Sequence, residues 1–168
     1  VQASAFAKMT AVPGRLERLA DPKGRHVFVD YAHTEDALRN VLQTLRESSP
    51  GRLICLFGCG GNRDRSKRPR MGAVVSEFAD YAVVTSDNPR NEDPLAILAE
   101  ILAGMDRSKP HLVESDRGLA IRAALRAARA GDTVLLAGKG HEPYQEIAGR
   151  MLHFDDRETV REAFAEGL

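Results

Sequence analysis

The run Val83-Val84-Thr85-Ser86-Asp87-Asn88-Pro89-Arg90 sets apolar, β-branched residues directly before a carboxylate, an amide, a proline and a guanidinium. The first half predicts a buried strand, and the second half a polar turn at its carboxyl end. Pro89 fixes its own φ and holds Asn88 extended, which makes the turn stiff. Side chains of this kind on a stiff loop can read a ligand that carries both an ammonium and a carboxylate. Arg90 suits the carboxylate, because its planar fork binds one bidentately. The competing reading is a capped turn, with Asp87 bonded to the local backbone and Arg90 in solvent.

Three further polar clusters directly follow predicted strands. They are Asp30-Tyr31-Ala32-His33, the stretch from Gly58 to Arg70, and Gly138-Lys139-Gly140-His141-Glu142. Asp30 can accept from ribose hydroxyls or cap a helix. His33 can stack on a base, bond a phosphate or serve the turn alone. Gly58-Cys59-Gly60-Gly61-Asn62-Arg63 allows close backbone approach to an anion ahead of a helix N-terminus, and Arg63, Arg65, Lys67 and Arg68 follow. That many cations in one turn repel one another unless an anion is near. The loop is a poor dinucleotide fingerprint, because Arg63 stands where the third glycine belongs, and the P-loop spacing occurs nowhere in the chain. Glu142 and the Gly138 carbonyl can pair with an ammonium, or Glu142 can simply be solvated.

The elements that must position these clusters alternate. Strands are expected at His26–Asp30, Arg52–Phe57, Tyr81–Thr85, His111–Glu114 and Thr133–Ala137. Helices are expected at about Glu35–Glu47, Lys67–Phe78, Asp93–Ala103, Asp116–Ala130 and Glu158–Glu166. Residues 1–12 read as an entry segment, and Val12–Arg18 as a turn and a short charged extended piece. Glu146-Ile147 and Met151–Phe154, around Ala148-Gly149-Arg150, suggest an edge hairpin. This pattern predicts an α/β, Rossmann-like fold, with a mainly parallel twisted sheet between helices and an antiparallel edge strand or hairpin. Ligands bind beyond the carboxyl ends of the strands in such a sheet, so topology alone brings the four clusters to one edge.

The chain has 168 residues, is 43% apolar and contains no internal linker, and a single domain over residues 1–168 is expected. Its 24 basic and 24 acidic residues cancel, and it has no Trp. Neither a global field nor a stacking platform for nucleic acid is therefore expected. No apolar run approaches a membrane span and no signal-peptide pattern opens the sequence, so no membrane partner is expected. Cys55 and Cys59 read as reduced thiols without the partners of a zinc site, and no metal site is expected.

Six motifs stand in one order: Gly14-Arg15-Leu16-Glu17, Asp30-Tyr31-Ala32-His33-Thr34, Gly58-Cys59-Gly60-Gly61-Asn62-Arg63-Asp64, Lys67-Arg68-Pro69, Asp87-Asn88-Pro89-Arg90 and Ala137-Gly138-Lys139-Gly140-His141-Glu142. In order and spacing they resemble the C-terminal domain of the Mur ligases, in its diaminopimelate-adding branch, from Val12 to about Glu158. The resemblance implies an ATP-dependent amide-bond ligase of cytoplasmic peptidoglycan precursor synthesis. In that family a UDP-N-acetylmuramoyl dipeptide is activated as an acyl phosphate and an incoming amine attacks it. It further implies that Asp87, Asn88, Pro89 and Arg90 form the signature for meso-diaminopimelate, with Asn88 and Arg90 on the distal carboxylate that lysine lacks. Arg63 would hold a second carboxylate, and Gly138 and Glu142 an ammonium. Arg15, Asp30 and His33 would face ATP. The UDP-sugar and P-loop domains of the family, which hold most of the contacts to ATP and Mg2+, are missing from these residues. No catalytic residue is therefore expected here, and the piece is expected to be monomeric and to bind without turning over. Two alternatives remain open: the NAD-binding domain of an oxidoreductase, and a non-enzymatic anion- or amino-acid-binding module.

Overall fold

Five-residue apolar runs such as Leu53-Ile54-Cys55-Leu56-Phe57 are stable as strands only when both faces of the sheet are covered. In the computed structural model, which describes residues 14–168, they are covered on both faces. The expected entry segment over residues 1–12 lies outside the described residues. Eight strands occur there: β1 (Glu17–Leu19), β2 (His26–Asp30), β3 (Leu53–Phe57), β4 (Tyr81–Val84), β5 (His111–Val113), β6 (Thr133–Ala137), β7 (Tyr144–Ile147) and β8 (Arg150–His153). Five helices connect and flank them: α1 (Glu35–Ser48), α2 (Lys67–Phe78), α3 (Pro94–Leu102), α4 (Arg117–Ala127) and α5 (Asp156–Ala165).

The main sheet runs β1-β2-β6-β3-β4-β5, with β1 antiparallel at the edge and the other five strands parallel. Alternate residues of β3 supply two cores. Leu53, Cys55 and Phe57 meet Leu38, Leu42 and Leu45 of α1, Met71 and Val75 of α2, and Ile97 and Ile101 of α3. Ile54 and Leu56 meet Ala120, Ile121, Ala124 and Leu125 of α4 and Val160 and Ala163 of α5. Caps fix where the helices begin. Thr34 Oγ1 accepts from the Ala37 amide, Asp93 from Leu95, Asp116 from Leu119 and Asp155 from Arg157.

Two helix boundaries differ from expectation by two residues or more. Helix α4 ends at Ala127 rather than near Ala130, because Ala128 turns extended (φ −85, ψ 143) and the Arg129 amide donates to the Asp132 carboxylate at 2.9 Å. Helix α5 starts two residues early, because Asp155 is its cap. The expected hairpin forms as β7–β8, in a two-stranded sheet of its own. A β-bridge between Arg90 and Ile147 joins it to the loop after β4, and Gln145 Nε2 donates to the Asp87 carbonyl at 2.7 Å.

Candidate functional site

Strands β2, β3, β4 and β6 are parallel, so their carboxyl ends open on one edge. A cleft of about 380 Å³ lies there. Its walls include His33 after β2, Gly60 and Arg63 after β3, Asp87, Asn88 and Arg90 after β4, and Gly138 and Glu142 after β6. Tyr31, Thr34, Lys67 and Tyr144 complete it. All four clusters anticipated from topology reach this edge.

The loop after β4 is not a capped turn with a solvated arginine. Asp87 Oδ1 stands 3.4 Å from Lys139 Nζ. Asn88 Oδ1 accepts from Lys139 Nζ at 3.0 Å and from the Glu146 amide at 2.9 Å, which leaves its Nδ2 facing Glu142 Oε2 at 3.4 Å. Arg90 adopts a left-handed backbone (φ 53). Its amide donates to the Glu146 carbonyl at 2.9 Å and its carbonyl accepts from Ala148 at 2.7 Å. The Arg90 side chain is 18% exposed; Nη1 donates to the Gly61 carbonyl at 2.9 Å, and Nε pairs with Glu146 Oε2 at 3.1 Å. Arg90 therefore has protein partners before any ligand arrives. The Nη2 edge of its fork has none among the described residues.

The glycine loop approaches protein rather than open space. A Cβ on Gly61 would lie 1.9 Å from the Pro89 carbonyl oxygen, and the Gly61 amide donates to the Asn88 carbonyl at 2.8 Å. The loops after β3 and β4 thus pack backbone to backbone, which only glycine permits. The basic run that follows divides in two. Arg68 has no exposed surface and pairs with Glu92 and Glu100 at 2.9 Å, with Nη2 on the Gly60 carbonyl at 3.1 Å. Arg65 pairs with Glu100 as well. Protein carboxylates thus neutralise half of the run. The Arg68 guanidinium and the Asn62 amide hold the Glu92 carboxyl down at about 2, from an ordinary value of 4.5. Arg63 remains exposed at the cleft, and Lys67 reaches the His33 carbonyl at 3.0 Å.

The residues expected toward nucleotide separate. His33 lines the cleft, with Nδ1 at 2.8 Å from the Tyr31 carbonyl and its ring edge-on to Tyr31 at 4.6 Å. Arg15 is exposed outside the cleft wall, its guanidinium 5.8 Å over the Tyr31 ring. Asp30 is buried and does not line the cleft. Its oxygens accept from the amides of Leu16 at 2.7 Å and Ala32 at 2.8 Å, which ties the Arg15 segment to the end of β2. Burial and the neighbouring Glu142 carboxylate push the Tyr31 phenol up from its ordinary value, and its hydroxyl donates to Glu142 Oε1 at 3.4 Å. Both cysteines are free and buried, and burial pushes the Cys59 thiol up to about 12.

Sequence reasoning assigned nothing to Lys139 and Arg117. Lys139 has no exposed surface and touches Asp87, Asn88 and Glu142. Arg117, from α4, is also fully buried and pairs with Asp156 at 2.7 Å. Its Nη1 and Nη2 donate, each at 3.1 Å, to the carbonyls of Ser86 and Ala137, which immediately precede Asp87 and Gly138. Strand β3 separates β4 from β6, so Arg117 spans a whole strand to fix the spacing of the two loops. The signal for Lys139 was its place between two glycines at a strand end. Arg117 gives none, because an arginine in the first turn of a helix ordinarily reads as solvated.

This fold is that of a known class. Residues 14–140 match the model of the family described as Mur ligase, glutamate ligase domain, and the chain belongs to that family. Membership separates it from the oxidoreductase alternative. At finer resolution, the chain is 54% identical over 166 residues to the UDP-N-acetylmuramoyl-L-alanyl-D-glutamate–2,6-diaminopimelate ligase of a Nostoc species, covering 98% of this chain and 34% of that protein. It is 53% identical over 161 residues to the ligase of the same name from Syntrophomonas wolfei, covering 95% and 33%. A solved structure of a ligase of that name superposes with a TM-score of 0.88 at 45% identity, over 95% of this chain and 33% of the other. A bifunctional folylpolyglutamate synthase/dihydrofolate synthase of Yersinia pestis shares the fold, with a TM-score of 0.60 at 19% identity over 94% and 32%. The chain spans about a third of the length of the curated relatives it matches. No helix among the described residues is long and apolar enough to cross a membrane.

Proposed function

We propose that this chain is the amino-acid-binding, C-terminal domain of a ligase that joins meso-diaminopimelate to UDP-N-acetylmuramoyl-L-alanyl-D-glutamate. The observation that supports this most is the division of charge within one cleft. Of the lining residues, Arg63 and Arg90 gather about Gly60, and Asp87 and Glu142 gather about Lys139. A ligand with carboxylates and an ammonium fits that division. The relatives named above add the particular amino acid.

In this reading the free Nη2 edge of Arg90 and the Asn88 Nδ2 donor take the distal carboxylate. Arg63 takes a second carboxylate, and Glu142 with the Gly138 carbonyl takes an ammonium. Pro89 holds the loop against Gly61. Selectivity against lysine then comes from a lost charge-assisted contact rather than from a stranded arginine, since Gly61 and Glu146 already partner Arg90.

ATP would supply the phosphoryl group that activates the acceptor carboxylate. Arg15, exposed above Tyr31, fits a role toward phosphate, and His33 fits one at the cleft rim. Asp30 contributes by holding the Arg15 segment. The P-loop spacing is absent from these residues, so the main nucleotide and Mg2+ contacts belong to other domains of the ligase.

Titration of the labelled 168-residue chain with meso-diaminopimelate, and in parallel with L-lysine, tests the proposal. Shifts are expected at Arg63, Asp87 to Arg90 and Gly138 to Glu142 with diaminopimelate only. Equal shifts with lysine would remove Arg90 as the selector, and no shift with either would remove the site from this domain acting alone.

A further inference from the structure

Lys139 is a fully buried cation behind the Asp87, Asn88 and Glu142 wall of the cleft, and the proposed function leaves it without a role. Burying an ammonium is costly unless it is paired and hydrogen-bonded, so a lysine with no exposed surface marks a place where its charge is needed. Its flanks explain how it gets there. Gly138 (φ 112) and Gly140 (φ 54) both take left-handed backbone and turn the chain sharply on either side of it. The ammonium then points away from solvent into a ring of acceptors: Asn88 Oδ1 at 3.0 Å, Asp87 Oδ1 at 3.4 Å and Glu142 Oε2 at 3.5 Å. Its Nζ lies 5.6 Å from the centre of the Tyr144 ring.

Two consequences follow. The same Nζ touches residues after β4 and after β6, so it joins the two loops at the level of their side chains. The Asn88 oxygen it engages also accepts from the Glu146 amide, which extends the joint to β7. The second consequence is electrostatic. Two carboxylates face one ammonium, which leaves a single uncompensated negative charge on that side of the cleft. One ligand ammonium would neutralise it, and two would overshoot.

We infer that Lys139 is a positioning residue for the ammonium side of the cleft: it orients Asp87, Asn88 and Glu142 and sets that side to accept one ammonium. It acts through those three side chains and does not itself touch the ligand. The inference rests on the reading of the cleft given above, and its test is arranged to separate the two.

The first measurement needs neither ligand nor variant. In the labelled 168-residue chain, a lysine ammonium enclosed by three acceptors gives a slowly exchanging side-chain 1H–15N signal, and Lys139→Met identifies it by its disappearance. If every lysine ammonium exchanges like a free one, Lys139 is not held and the inference is overturned. The second measurement compares amide exchange in Lys139→Met, which keeps the length and removes the charge. Glu146 and Gly61, whose amides are held by Asn88, are expected to exchange at least about 10-fold faster, with β3 unchanged. Unchanged exchange at both would overturn it. The third is a double-mutant cycle on diaminopimelate affinity. Lys139→Met and Glu142→Gln should each weaken binding about 10-fold or more, and the double variant should lose little beyond the larger single loss. Additive losses would mean that Lys139 does not act through Glu142. If the unmodified chain binds no diaminopimelate, the amino-acid site does not form in this domain alone, and the two ligand-free measurements still decide Lys139.

Discussion

The two sides of the cleft are built differently. On the Lys139 side, Asp87, Asn88 and Glu142 converge on an ammonium with no exposed surface. Behind it Arg117 ties the Ser86 and Ala137 carbonyls to Asp156, whose carboxylate is equally buried. On the Gly60 side, Arg63 stands in solvent and, among the described residues, bonds only the neighbouring Asn62 carbonyl, at 3.1 Å. Its backing is also a buried arginine, Arg68. Yet the partners Glu92 and Glu100 are 24% and 26% exposed, and Arg68 Nε has no hydrogen-bond partner among the described residues. The difference teaches a division of labour. A side set in advance fixes where a ligand sits, because little ordering remains to be done on binding. A side open to water contributes attraction and encounter, at a strength that salt can tune.

The largest expected effect concerns the two struts. Arg117→Met should cost about 3–5 kcal/mol of stability, since it strands the buried Asp156 carboxylate, while Arg68→Met should cost clearly less. Urea denaturation of both variants measures this, and Arg117→Met/Asp156→Leu should recover most of the larger loss. Equal costs for the two single variants would break the comparison. Next in size are the contacts proposed for the ligand. Arg90→Ala should weaken diaminopimelate about 10- to 100-fold, the range of one charge-assisted hydrogen bond, and should also cost about 1–3 kcal/mol of stability through its lost bonds to Gly61 and Glu146. Arg63→Ala should cost less than about 10-fold, and its effect should shrink as salt rises. Calorimetric titrations at two ionic strengths separate them. The smallest effect is the acid response of the Gly60 side. Glu92 titrates near 2 in the fold against 4.5 ordinarily, so the stabilisation it gives is complete above about 4.5 and is lost as pH falls toward 2. Following the Glu92 carboxyl carbon and the Asn62 amide through acid should show them change together.

How much of this the sequence reveals depends on what each residue is bonded to. The sheet was legible because β3, β4 and β6 are short apolar runs between helices with clear caps at Thr34, Asp93 and Asp116. The meeting of four loops was legible because parallel strands leave no other place for their carboxyl ends. The charged residues were legible only as types. Arg63, Lys67, Arg65 and Arg68 form one run on the page, yet two face the cleft and two are absorbed by Glu92 and Glu100, some 30 positions away. Arg117 and Lys139 were missed for the same reason. A buried cation is defined by partners distant in the chain, and periodicity reports only which residues are apolar. Asp30 shows the converse. A carboxylate at a strand end reads as a ligand group, and here its oxygens are spent on two backbone amides.

The left-handed backbone of Arg90 has a practical corollary. For a non-glycine residue that conformation is unfavourable by about 1 kcal/mol or more, and it persists where neighbours over-determine it. Here the neighbours are the Glu146 carbonyl and the Ala148 amide, both supplied by the hairpin more than 50 positions downstream. Asp-Asn-Pro-Arg is therefore not a portable tetrapeptide. Transplanted onto another parallel sheet without β7 and β8, it would keep its letters and lose the posture of its arginine. Anyone redesigning the amino-acid preference of such a domain must move the hairpin together with the loop.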